Sequence, residues 1–122
     1  MTNLELKQLR QLLFLSQSEA AEHIAKAETR TWQRWEKGDR SIPSDIVEQM
    51  QMLALTRTEL LSVDPDLSHY NYQYFDSLDE YGKASGVRSV IKWRLSQSIA
   101  ASLLAEATAD NWRQSEIIND ED

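Results

Sequence analysis

The sequence contains no cysteine, and this absence removes both a disulfide framework and any thiolate metal site. Its two histidines, His23 and His69, lie far apart without ligand-like spacing, so neither a metal nor any other cofactor is expected. Only three glycines and two prolines interrupt the chain, and repeats and low-complexity segments are absent. No apolar run approaches the roughly 18 residues that a membrane span requires. The opening "MTNLELKQLR" also lacks the apolar stretch of a signal peptide, which points to the cytoplasm. What remains is a chain of 122 residues, 41% apolar and 27% charged, well above the disordered range and large enough for one domain or a small domain with an extension.

The formal charge is −7, but it is unevenly placed. Residues 1–62 hold eight Lys/Arg against nine Asp/Glu, whereas residues 63–122 hold five against eleven, so the second half carries −6 of the total. Within the first half, the window from Lys26 to Arg40 has five basic and three acidic residues, a local +2. Binding responds to the field within about a Debye length, ~8–10 Å at physiological salt, so a basic edge on an acidic body is compatible with a polyanionic partner.

Apolar spacing predicts a mainly α chain. Leu4, Leu6, Leu9, Leu12 and Leu13 mark a first helix over about residues 3–14. "SQSE" at 16–19 is a capping box that starts a second helix at Gln17, running through "SEAAEHIA". After a short turn, a third helix covers about 28–37 and stops at Gly38. Pro43 suits the first turn of a fourth, which carries Ile46, Val47, Met50, Leu53 and Leu55 and continues through Leu60 and Leu61. Around residue 64 the pattern breaks. Pro65 and the alternating Tyr70, Tyr72 and Tyr74 read as a linker entering a short strand. A short helix from Leu78 to a stop at Gly86 precedes a long one from Val87, whose later half is apolar around most of its circumference.

The third helix, "ETRTWQRWEKG", carries the functional signal. With Arg30 set to 0° on the helical wheel, Gln33, Arg34 and Lys37 fall at about 300°, 40° and 340°, while Trp32 and Trp35 fall opposite at about 200° and 140°. One face is core and the other is a row of hydrogen-bond donors. Arginine suits guanine O6 and N7, glutamine suits adenine N6 and N7, and the DNA major groove admits a helix. A capped helix, a tight turn and a short helix followed by "GDRSIP" have the dimensions of a helix-turn-helix. Base reading is therefore expected from Arg30, Gln33 and Arg34, and phosphate contact from Gln17, Thr31, Lys37, Arg40 and Ser41. Arg10 and Glu36 are expected to form an internal ion pair joining the first and third helices.

Residues 1 to about 60 resemble the lambda and 434 repressor type of helix-turn-helix domain, through "LSQSEAAEHIA", "WQRWEKG" and "SIP". In that family the helix 1 arginine pairs with the glutamate of the "WE.G" motif, base contacts come early in helix 3, which implies Thr29 as a reader beside Arg30, Gln33 and Arg34, and the glutamine opening helix 2 touches phosphate. "MTNLEL", "SEAAEHI", "LDEY" and "IKWRLSQSIAA" resemble more narrowly the second type of anti-CRISPR-associated (Aca) regulators and their uncharacterised bacterial relatives. That resemblance implies a homodimeric repressor of its own operon that binds double-stranded DNA at an inverted repeat.

The expected organisation is then a helix-turn-helix domain over 1–64, a small α (plus short β) dimerisation region over 65–109, and a flexible acidic tail over 110–122. The dimer interface is expected at Trp93, Leu95, Ile99, Leu103 and Leu104, because the N-terminal bundle of one chain is too small to cover both flanks of the last helix. Two other binding classes compete with an operon repressor, namely an antitoxin of a toxin–antitoxin pair and a regulator that also binds RNA through the tyrosines. An enzyme is not expected, because the carboxylate pairs Asp64/Asp66 and Asp79/Glu80 have no basic or nucleophilic partner at catalytic spacing.

Overall fold

The computed structural model describes residues 1–62 and 73–105. The described residues are helical without a strand, and the chain divides into two compact units, Met1–Thr58 and Glu59–Asp122. None of their helices is long and apolar enough to cross a membrane.

The first unit opens with α1 (Asn3–Leu12), which starts where it does because Thr2 and Glu5 exchange side-chain and backbone hydrogen bonds in a capping box. Leu13 and Phe14 end it, Phe14 in the left-handed region at φ 64°. A second capping box, between Ser16 and Glu19, begins α2 (Gln17–Ala20). Here the structure departs from the expected continuous second helix. Residues Ala21–Ala25 form a π-helical turn, and Lys26 closes it at φ 53° while the Ala27 amide reaches back to the Ala21 carbonyl at 3.0 Å. The buried side chains across this change are Ala20, Ala21 and Ile24, small enough at the first two positions for the widened backbone to lie close to its neighbours.

Next comes α3 (Thr29–Lys37), which packs on α1, α2 and the π turn. It ends at Gly38, φ 84°, where the amides of Gly38, Asp39 and Arg40 all turn back to the Arg34 carbonyl. A Cβ at residue 38 would meet the Asn3 side chain at 3.5 Å, and a positive φ strains any side chain there. Asn3 itself donates to the Glu36 carbonyl, tying the start of α1 to the end of α3. Following Pro43, α4 (Ser44–Leu61) buries Ile46 and Met50, and its residues from Glu59 onward belong to the second unit.

In the second unit, Ser77 caps α5 (Leu78–Ser85), which stops at Gly86. The last helix, α6 (Val90–Ala105), starts three residues later than its apolar pattern suggests. Ser85 bonds both ways with Val87, holding a turn, and Ser89 then accepts the Lys92 amide as a cap, so residues 87–89 stay outside the helix. Phe75, Tyr81 and Trp93 form a small core with Leu78 against it, Phe75 and Tyr81 meeting edge to face. The Phe75 carbonyl accepts from both Trp93 Nε1 and Gln97 Nε2, which fixes residues 73–77 on α6. The expected short strand and the acidic tail are different matters: Tyr70, Tyr72, Asp64, Asp66 and residues 110–122 lie outside the described residues, and the described part of the tyrosine segment, from Gln73, is not a strand.

Candidate nucleic-acid interface

Helix α3 is sharply two-sided. Trp32 is fully buried and Trp35 is 7% exposed, their rings 5.5 Å apart at 62° in an edge-to-face pair. Arg30, Gln33 and Lys37 are exposed, while Arg34, Thr29 and Thr31 are half-buried. Just beyond the helix, Arg40 and Ser41 are exposed as well.

Behind this face sits a hub of hydrogen bonds centred on the buried carboxylate of Glu36. Arg10 donates to it twice, from Nε at 2.6 Å and from its terminal nitrogen at 3.1 Å, and sends a third bond to the Leu15 carbonyl at 2.9 Å. Trp32 Nε1 and Gln17 Nε2 supply the other two donors, so both carboxylate oxygens are doubly satisfied. Burial pushes the Glu36 carboxyl up. The bonds from Arg10, Gln17 and Trp32, with the guanidinium charge behind them, outweigh burial and hold the group below its ordinary range. The pair is thus an internal strut, and it fixes the rotation of α3 by gripping it one turn from Trp32.

The chain of bonds continues outward. Gln33 Nε2 donates to Gln17 Oε1 at 3.2 Å, linking an exposed side chain of α3 through the first residue of α2 to the buried carboxylate. Sequence spacing assigned Gln17 to phosphate and Gln33 to bases as separate contacts; the structure brings the two amides together. Two glutamines 16 residues apart carry no periodic signal of such a contact, and only the packing of α2 on α3 creates it.

The sequence 1–112 matches the Aca2/YdiL-like family. The chain belongs to that family. It is 43% identical over 114 residues to the Aca2 repressor of Pectobacterium phage ZF40, covering 90% of this chain and 98% of that one. It is also 27% identical over 107 residues to the uncharacterized protein YdiL of Escherichia coli (strain K12), covering 83% and 91%. This family member keeps its hub and its donor face within the first unit. In its second unit, Trp93, Leu95, Ile99 and Leu103 are each buried within a single chain, and Leu104 is 51% exposed. Arg94 lies over the Trp93 ring, 4.0 Å from its centroid, and bonds Gln97. Tyr74 is half-buried, and no three described His, Asp or Glu residues are grouped to hold a metal ion.

Proposed function

We propose that this chain is a sequence-specific DNA-binding repressor that acts on its own operon, entering the major groove with α3 of a helix-turn-helix and binding an inverted repeat as a homodimer. The observation that carries the reading is the donor face of α3 backed by a buried hub. Arg30, Gln33, Arg34 and Lys37 project from a helix whose rotation is set by two tryptophans and a four-donor carboxylate. Preorganised donors lose less freedom on binding than mobile ones.

Gln33 adds chemical detail. One of its amide hydrogens is committed to Gln17, which leaves one hydrogen and the carbonyl oxygen, the pair that adenine N7 and N6 require. Gln17 likewise spends one amide hydrogen on Glu36 and keeps the other for a phosphate. Arg30, exposed and without a partner bond among the described residues, is suited to guanine O6 and N7. In this reading Thr29 and Arg34 join them at the bases, and Thr31 with the exposed Arg40 and Ser41 contacts the phosphate backbone. Support for repression, as distinct from binding alone, comes from the Aca2 repressor, which shares 43% identity with nearly the whole chain. In a homodimer, Leu104, exposed near the end of α6, is offered to the partner.

Footprinting on the DNA directly upstream of the gene, paired with sedimentation of the free protein, tests this reading. Two protected half-sites about one helical turn apart, with a dimer in solution, are expected. Protection of a lone half-site by a monomer would remove the symmetric mechanism, and no protection would remove autoregulation.

A further inference from the structure

A hollow of about 320 Å³ opens beside the donor face, lined by Lys7, Gln17, Gln33, Glu36 and Lys37. Three helices meet there: α1 brings Lys7, α2 brings Gln17, and α3 brings the other three. On α1, Asn3, Lys7 and Arg10 form one row at helical spacing. The first and last of that row are spent on Glu36, Asn3 at its carbonyl and Arg10 at its carboxylate. Lys7, between them, is exposed and makes no hydrogen bond or ion pair among the described residues, and the same is true of Lys37 across the hollow. At the floor, the Glu36 charge is already matched by the guanidinium of Arg10. Two uncommitted ammonium groups and the second amide hydrogen of Gln17 therefore face one small space, an arrangement that repels cations and suits an anion.

We propose that this hollow seats one DNA backbone phosphate, gripped from two sides by Lys7 and Lys37, next to the base that Gln33 reads. The inference rests on the DNA-binding reading above and adds α1 to the interface. Because Gln33 lines the hollow and also belongs to the reading face, phosphate capture and base recognition share one register. A helix shifted along the groove loses both at once.

The test is fluorescence anisotropy on a labelled duplex from the region upstream of the gene. The full-length parent, Lys7→Gln, Lys37→Gln, the double variant and a control, Lys83→Gln on α5, are titrated from 50 to 200 mM salt, with thermal melts confirming that all are folded. Each neutralised phosphate contributes a slope of about 0.9 in log affinity against log salt, so the double variant should lose about 0.9 per bound protomer, or about 3.5-fold of the affinity change across that range. Each single variant should lose a part of it, base preference should be unchanged, and Lys83→Gln should match the parent. A single neutral methylphosphonate walked along the duplex should find one position at which both lysine substitutions become silent. If the double variant loses no more slope than Lys37→Gln alone, Lys7 takes no part and the seat is overturned while DNA binding stands. If the double variant loses about 1.8, two separate phosphates are held and the shared grip is wrong. A parent that binds no duplex overturns the DNA reading itself, and the seat with it.

Discussion

Replacing Arg10 by methionine should unfold most of the first unit's margin of stability. Methionine fills similar space along the side-chain stem but supplies none of the three hydrogen bonds that Arg10 makes, two to Glu36 and one to the Leu15 carbonyl. The Glu36 side chain is only 4% exposed, so its charge would be left with Gln17 and Trp32 as neutral donors. Breaking a buried pair by removing one partner costs about 3–5 kcal/mol, and an orphaned Leu15 carbonyl places this case toward the upper end. A unit of this length has roughly 3–9 kcal/mol in total at ordinary stability per residue. With about 4–8 °C lost per kcal/mol in a small domain, the melting temperature should fall by at least ~12 °C. Circular dichroism melts and urea titrations of the full chain would measure it. Changing both partners, Arg10→Met with Glu36→Met, removes the unpaired charge and should recover part of the loss. It should not recover all, because Trp32 Nε1 and the Leu15 carbonyl still lack partners, at about 1–3 kcal/mol each. A cost below about 1 kcal/mol for Arg10→Met would show that the guanidinium does not hold Glu36, and a double variant as stable as the parent would show that the hub is only a charge pair.

Trp35→Ala should cost ~3–5 kcal/mol and abolish DNA binding through unfolding; a normal melt with selective loss of binding would mean that Trp35 faces the nucleic acid. Lys26→Gly should raise stability by up to about 1 kcal/mol, because φ 53° burdens a side chain, whereas Lys26→Val should lower it; melts of the two variants check the sign. The Glu36 carboxyl is held below its unfolded value, so its contribution is fully present above the ordinary 4.5 and is lost as pH falls below that toward the folded value. Stability measured down that range should therefore fall less steeply in Glu36→Gln than in the parent, although the variant starts lower.

Much of the fold is legible from local signals because those signals act locally. Ser16 with Glu19, Gly38, Pro43 and Gly86 each start or stop a helix through bonds within a few residues, and α2, α3, α4 and α5 begin or end at them. The π turn after Ala20 is not legible, since Ala20, Ala21 and Ile24 fit an α-helical period equally well and no polar side chain marks the wider backbone. Nor was the late start of α6, although Ser89 three residues before Lys92 is a cap signal that an apolar count overrides. At the site, the wheel separates the tryptophans from the donors because both follow from 3.6-residue spacing. The Gln17–Gln33 bond, the four donors on Glu36 and the place of Lys7 depend on how α1, α2 and α3 pack, which no spacing encodes.

The central claim is that α3 reads bases with Arg30 and Gln33. It is tested most directly by measuring affinity for every single-base substitution of the footprinted operator, with the parent, Arg30→Ala and Gln33→Ala at one salt concentration. Each variant should lose about 1–3 kcal/mol on the parent operator and become indifferent to the base at one position per half-site, a guanine for Arg30 and an adenine for Gln33, while discrimination elsewhere is kept. Profiles that fall uniformly, or that match the parent's at every position, would contradict the claim and move base recognition off α3.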